Sequence, residues 1–472
     1  MIVYLINMPF FEEEYTTFSE KWEYIEDEYL GVGIVQKILE KAECEVIVNR
    51  ANSIKEMVFT THDVMPDVVM ISVMQTSARL TYRFVNELRD SGWNGKIFIG
   101  GWFAKMAWRE IFIHEWAVDY VCYCDAEMVL DKWICHPDKF IVGIATKNNY
   151  NLHDKISINE IRQNNDWPAR YVESSRTAGR NTYCIETSRG CPHSFCTFCS
   201  QSCGNIINNK WTPLPLEIVK GQITELHNKY GATRFSTTDD DLLGPLENIE
   251  ERARKIHDLI INLPFKITFS SSISVKAATN GIVLDLLQDA GLEQLCVGFE
   301  SADEKQLRRY GKQQSLEDNY LAAREVRNRN IPILPGLITF DPFATKDTVE
   351  KNLKFLFDEL GHYDLGKLTK KLHILTGTPM VKMIKDAGLL RGDYLYYDYE
   401  FKNEEVLRLY KAFTSYTEKV KDIQKRANYK KMQHNKKIGI HHRNVAEAIL
   451  IDSKWEDIAD GEINHMIEEM RE

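Results

Sequence analysis

The stretch Asn181–Gly204, NTYCIETSRGCPHSFCTFCSQSCG, decides how this chain is read. It opens as a short strand and runs into a cluster of cysteines. Five of the ten cysteines in the chain lie within Cys184–Cys203. Four residues separate Cys191 from Cys196, and two separate Cys196 from Cys199. A secreted disulfide scaffold would be shorter and more evenly stapled, so a local cluster reads as metal-binding or redox-active. Thiolates are soft ligands that suit iron–sulfur clusters, zinc or copper(I). Zinc wants a fourth ligand, which His193, Cys203 or Cys184 can supply. A cluster held by three cysteines leaves one iron open to a cofactor or substrate.

Outward from this loop, both flanks alternate strand and helix. Downstream, a helix at Leu216–Tyr230 precedes strands at Thr233–Thr238, Lys266–Ser271, Gln294–Phe299 and Pro332–Phe340. Helices follow at Asp303–Tyr310 and Lys346–Glu359, with a last strand expected at Lys371–Leu375. Repeated units of this kind predict a complete or partial (β/α) barrel over residues 181–400. Upstream, Ile2–Ile6, Glu45–Val48, Asp67–Val73, Lys96–Ile99 and Val118–Cys122 are apolar runs, with helices at Gly33–Lys41 and Thr81–Arg89 among them. They predict a parallel, doubly wound (Rossmann-like) α/β domain over residues 1–145, whose ligand would sit at the C-terminal strand ends. Residues 146–180 are polar and Asn-rich and read as a linker. Residues 401–472 read as a helical, strongly charged region, either a solvated cap or a substrate-recruiting appendage.

Length and composition agree with this layout. A chain of 472 residues needs two or three domains, and 44% hydrophobic with 27% charged residues is ordinary for a folded protein. The net charge of −10 disfavours broad nucleic-acid binding. No stretch approaches a membrane span, and the N-terminus reads as a strand rather than a signal peptide, so a cytoplasmic location is expected.

The cysteine segment resembles the radical S-adenosylmethionine (radical SAM) signature, in which three cysteines sit on a loop after the first barrel strand. Thr187–Gly190 is similar to the family's lead-in, and Phe198 stands at its aromatic position. The family's common spacing has three residues between the first two cysteines; here there are four, so the loop must bulge. The resemblance implies a [4Fe–4S] cluster on Cys191, Cys196 and Cys199. It also implies SAM bound to the open iron and reductive cleavage to a 5′-deoxyadenosyl radical that takes hydrogen from an unactivated carbon.

Further residues are carried over by the same resemblance. Asp239, Asp240 and Asp241 are candidates for the amino group of SAM, one of them being a cap or turn residue. Ser270, Ser272 and Lys276 resemble the region along the ribose and carboxylate. Gly298–Ser301 resembles the strand end near the adenosyl group, with Glu300 either on the ribose or at a helix start. Asp341 is a candidate for the substrate mouth. Gly377-Thr378-Pro379 looks like a late motif without an assigned role. Cys296 is either a thiol hydrogen donor or a buried cysteine.

Residues 1–145 resemble the cobalamin-binding domain fused to many such enzymes, at Leu30–Val48, Pro66–Val73, Gly100-Gly101 and Val118–Glu127. There is no Asp-x-His-x-x-Gly, so no histidine ligand to cobalt is expected. Cys124-Asp125-Ala126-Glu127 and the bulky Trp102 and Phe103 leave open both a bound cobalamin and a domain that keeps the fold without it. Three functions remain: cobalamin-dependent C-methylation (a transferase of natural-product biosynthesis), SAM-only epimerisation, dehydration or rearrangement, and a zinc-binding module without catalysis. The resemblance further implies a peptide or small-molecule substrate and an electron donor such as flavodoxin or ferredoxin.

Overall fold

The computed structural model describes residues 1–8, 30–152, 156–157, 182–203, 206–207, 211–361, 365–424, 436–451 and 454–469. The first domain is a six-stranded sheet in the order β2-β1-β3-β4-β5-β6. Its strands are β1 (Ile2–Asn7), β2 (Glu45–Val48), β3 (Val68–Ser72), β4 (Lys96–Gly100), β5 (Tyr120–Cys122) and β6 (Ile144–Ala145). The first five run parallel, at each of the apolar runs picked out in the sequence, and β6 returns antiparallel on β5. Helices α1 (Leu30–Lys41), α2 (Ile54–Val64), α3 (Ala78–Asp90), α4 (Trp102–Ile113) and α5 (Leu130–Cys135) complete the domain. Apolar residues on both faces of the sheet are buried, in two separate cores. In this strand order the chain reverses direction between β1 and β3, and the C-terminal ends of those strands open a crevice.

Two short pairs lead into the second sheet: β7 (Ile156–Ser157) with β10 (Ile206–Ile207), and β9 (Ser188–Arg189) with β11 (Thr212–Pro213). Most of the expected linker, 158–180, lies outside the described residues. The second sheet has the order β15-β14-β13-β12-β8, all parallel, from β8 (Tyr183–Ile185), β12 (Arg234–Thr237), β13 (Thr268–Ile273), β14 (Leu292–Glu300) and β15 (Ile333–Leu337). It is a partial barrel. The strand expected at Lys371–Leu375 makes a single bridge, Phe340 to Lys371, and joins no sheet. Its apolar residues Leu372 and Ile374 are instead buried beneath the helix Pro379–Asp386.

The barrel's inner face is unusual in its small polar residues. Register pairs Cys184 with Ser236, Ser236 with Ser270, and Ser270 with Gln294; a second row runs Ser272, Cys296, Leu334. Closed barrels fill this space with bulky branched side chains. Here Ser270, Ser272 and Cys296 stay half-buried, while alternate residues such as Phe269, Ile273, Leu295 and Val297 are buried against the outer helices.

The C-terminal helices Glu404–Gln424, Lys436–Leu450 and Trp455–Glu469 are not a detached cap: Val406, Phe413, Val420, Val445 and Met466 belong to the barrel's core. Most of the basic run at 430–444 has side chains outside the described residues. The hairpin β16 (Leu390–Asp393) with β17 (Tyr396–Tyr399) crosses back to the first domain. Its Tyr394 and Leu395 complete that domain's core. Gln75 donates to Tyr394 O (3.1 Å) and Leu395 O (2.8 Å) and accepts from Thr376 N (3.0 Å). One buried amide thus joins both halves of the molecule.

Candidate active site

The cysteine loop leaves the end of β8 and is braced at four places. Asp239, nearly fully buried, accepts from Thr187 N (2.9 Å), Ser188 N (3.0 Å) and the Thr187 hydroxyl. Ser188 Oγ donates to Asp241 O (3.0 Å), and Arg252 donates to Thr187 O (3.0 Å). Thr197, between the second and third cysteines, donates through N to Tyr310 O (2.9 Å) and through Oγ1 to Arg309 O (2.9 Å). The Ser202 hydroxyl meets Cys196 O at 2.6 Å and Cys199 O at 2.8 Å.

The late motif Gly377-Thr378-Pro379 acquires a role here. Pro379 opens a helix whose second residue, Met380, donates its N–H to Thr197 O (2.9 Å). At Gly377, φ is +80°, and a Cβ would stand 2.6 Å from Cys203 Sγ. Only glycine fits this close, left-handed corner. Cys203 is buried against it.

Burial pushes the Cys191 thiol up to about 12 and Cys196 up to about 11, and raises Cys199. As free groups they are thiols, and metal binding must release protons. Cys196 feels Cys199, and Cys191 feels Cys196, so the three share one electrostatic neighbourhood. As placed, their three sulfurs do not all lie within 4.8 Å of one another. Among the described residues, the one group of three or more ligand atoms within 4.8 Å of one another is elsewhere, at His441, Glu462 and His465. Tetrahedral zinc needs sulfurs about 3.8 Å apart, whereas a cluster puts each thiolate on a different iron. His193 is already engaged, its Nε2 2.8 Å from Gly311 O. This spacing suits a cluster better than one tetrahedral zinc.

The other expected residues separate into two groups. Asp240 is exposed, lines the cavity described below, and accepts from Gln201 Nε2; its charge is felt at Cys191 and Cys199. Ser270, Ser272 and Cys296 share the inner barrel face, with burial pushing the Cys296 thiol up. Glu300 closes β14 in a left-handed conformation (φ +61°) and ion-pairs with Lys312 at 3.3 Å. A non-glycine residue held at such an angle is strain that the surroundings sustain. Lys276 is half-buried on the short helix Val275–Ala278. Phe198 packs edge-on against Tyr310, 5.0 Å between centroids, at the base of the loop.

By contrast, Asp239 is committed to the loop backbone. Asp241 accepts from Leu243 N, Gly244 N and Ser274 N. Ser301 is fully buried, bonded to Asn352 and to Asp303 N. Asp341 gathers Gln306, Arg309, Tyr310 and Phe343 N, and so is a structural hub rather than part of a substrate mouth.

One cavity of about 410 Å³ joins the two domains. The first domain lends it the ends of its strands and of α1: Leu5, Met70, Val32, Phe98 and Gly100. The second lends Ser188, Arg189, Gly190, Gln201, Thr238 and Asp240. At Gly101, φ is +92° and a Cβ would meet Val73 O at 2.7 Å, so the backbone turns tightly at the cavity wall. Phe103, bulky in the sequence, is buried in the domain core and leaves only Trp102 at the wall.

Two features escaped the sequence reading. Lys312 lies beside Glu300 and Cys196; burial works to lower its pKa, and the Glu300 carboxylate acts against it so that the pKa is raised. Arg189 bridges the domains, meeting Glu127 Oε1 at 2.7 Å, Asp125 at 3.5 Å and Glu186 in its own loop; Lys105 pairs with Asp125. The Asp125 and Glu127 that looked out of place in the sequence are the partners of this arginine.

Residues 185–356 match the family described as the Radical SAM superfamily. Radical SAM domains use a [4Fe–4S] cluster and SAM. Among curated proteins, it is 23% identical over 363 residues to 4′-phospho-dehydrooxetanocin synthase of Priestia megaterium, covering 69% of this chain and 48% of that one. The chain thus spans about half the length of that relative. Among solved structures, it is similar to the cobalamin-dependent SAM radical enzyme OxsB with aqua-cobalamin and SAM bound: TM-score 0.75, 18% identity, 99% of this chain and 79% of that one. It is also similar to the radical SAM methyltransferase TsrM of Kitasatospora setae: TM-score 0.58, 16% identity, 83% and 77% covered. At these identities the structural likeness is one of fold. Among the described residues no helix is long and apolar enough to cross a membrane.

Proposed function

We propose that Cys191, Cys196 and Cys199 hold a [4Fe–4S] cluster, that a corrinoid occupies the shared cavity, and that the chain is a cobalamin-dependent radical SAM enzyme that methylates carbon. A peptide or specialised metabolite is the substrate, and flavodoxin or ferredoxin the electron donor. The observation that carries this is a cavity with the lead-in of the cysteine loop, Ser188–Gly190, and Gln201 on one wall and the C-terminal edge of the β1–β5 sheet on the other. The fit to a corrin rests on that wall: glycine at 100 and 101, apolar side chains from β1, β3, β4 and α1, and a charged rim at Lys105, Asp125 and Arg189 suited to amide side groups. Bound there, the cluster and SAM supply a 5′-deoxyadenosyl radical, and methylcobalamin a methyl group.

The chain's own part is to bind, orient and exclude water. Asp240 offers a carboxylate acceptor for the SAM ammonium, already oriented by Gln201. Ser270 and Ser272 present hydroxyls along the inner face for the ribose, and Glu300 is held toward the barrel mouth by Lys312. Anaerobic reconstitution with cobalamin tests the reading: corrin absorbance co-purifying with iron and sulfide, and transfer of a labelled SAM methyl to product, are expected. A chain that binds the cluster and SAM but takes up no corrinoid would overturn the methylation reading.

A second reading, SAM-only epimerisation, is favoured by Cys296, a half-buried thiol on the inner face beside Ser272. If Cys296 is the hydrogen donor, Cys296→Ala keeps SAM cleavage and loses product. If methylation is the reaction, it keeps both.

A further inference from the structure

We propose a second metal site, independent of the cysteine loop, formed by His441, Glu462 and His465 and suited to zinc(II). These residues come from the last two helices, Lys436–Leu450 and Trp455–Glu469, which pack side by side. Glu462 and His465 stand three residues apart and share one helical face; His441 faces them from the neighbouring helix. One ligand atom from each lies within 4.8 Å of the other two. Two imidazoles and one carboxylate form a borderline donor set that zinc accepts with water in the fourth position. The required spacing between nitrogen and oxygen donors, about 3.3 Å, is within reach of side-chain rotation from the present arrangement.

The site is supported on its outer side as well. Asn444, three residues beyond His441 and on the same face, donates to Glu462 Oε1 at 2.7 Å. The other oxygen, Oε2, is left to meet His441 Nδ1. A ligating carboxylate fixed by an outer hydrogen bond is the usual support of a metal centre. Burial is graded: His441 is buried, Glu462 half-buried and His465 exposed, giving a site rooted in the helix pair and open to solvent on one side. The adjacent His442 points elsewhere, its Nδ1 2.7 Å from Tyr416 OH in the core. An ion here would staple the terminal helix pair to itself.

Zinc titration of the full chain with its iron–sulfur cluster loaded tests this. Expected are one zinc per chain and an X-ray absorption edge with only nitrogen and oxygen neighbours, at about 2.0–2.1 Å. Asn444→Ala should weaken binding about 10–100-fold, and the exposed His465→Ala by more, with iron content unchanged in both. Zinc should also raise the thermal midpoint of the native chain but not of His465→Ala. A sulfur shell around the zinc, no stoichiometric uptake, or equal affinity in native chain and His465→Ala would each overturn the proposal. Because His465 is on the surface, loss of folding does not confuse the outcome, and circular dichroism checks it.

Discussion

The two walls of the cavity are built on opposite principles. The barrel wall is polar and heavily hydrogen-bonded: the cysteine loop hangs from Asp239, Tyr310, Arg309 and Met380. The wall of the first domain is apolar, with glycine at its turns. The loop proposed to hold three thiolates at set positions is fixed by buried polar contacts, each of which is costly to leave unmade. A surface that receives a large ligand needs shape and little else. The difference predicts that the barrel wall is intolerant of substitution and the other wall permissive.

The sharpest attempt to break this contrast is Asp239→Ala. It strands two backbone N–H groups and leaves Arg252 beside an apolar residue, so a loss of about 3–5 kcal/mol is expected. A matched change on the other wall, Val32→Ala, should cost less; comparable losses in denaturant melts would erase the distinction.

Next comes pH. Burial pushes Asp239 up to about 7 and Asp241 up to about 6 in the folded chain. A carboxyl whose folded pKa is raised binds its proton more tightly when native. The stability it contributes is fully present below the unfolded value near 4 and is lost as pH rises through 6 to 7. The loss attached to Asp239 is on the order of 3–4 kcal/mol. Asp239→Asn preserves the acceptor for both N–H groups and can donate to Thr187 Oγ1. Its stability relative to the native chain should therefore climb between pH 4 and 7, as thermal melts across that range will show. A flat difference would mean that Asp239 is ionised throughout.

Gln75→Ala removes three hydrogen bonds between the domains and should cost about 1–3 kcal/mol, read by urea unfolding. If unfolding then splits into two transitions, this amide is what couples the two walls. The smallest effect is electrostatic. Lys312→Met takes a positive charge from beside Cys196 and should make the bound cluster harder to reduce, by on the order of 50 mV. A potentiometric titration followed by electron paramagnetic resonance measures it.

The sequence exposes the two walls unequally. The parallel strands of the first domain are legible because each is a continuous apolar run covered on both faces. β6 is two residues long and antiparallel, so no pattern announces it. Lys371–Leu375 has the composition of a strand, but Leu372 and Ile374 are buried by a helix and not by a neighbouring strand. In the run Asp239-Asp240-Asp241 the side chains are chemically identical; only the path of the chain turns the first and third inward and leaves Asp240 in the cavity. Ser301 and Asp341 stand at strand ends, as ligand-binding residues do, yet both are taken by local helix starts and loops. The Ser301-x-Asp303 spacing before a charged helix was the available sign of a cap. Lys312 is brought to Cys196 by the return of the chain at Tyr310–Gly311, which no spacing rule encodes. The three cysteines proposed as cluster ligands stand out in the sequence because they lie within nine residues.

The proposed cluster site is tested by the yield of 5′-deoxyadenosine from the anaerobically reconstituted chain given SAM and dithionite, compared with Cys191→Ala, Cys196→Ala and Cys199→Ala. About four irons per native chain and steady product are expected, with both lost in every variant. Product formation that survives removal of any one of these cysteines would contradict it.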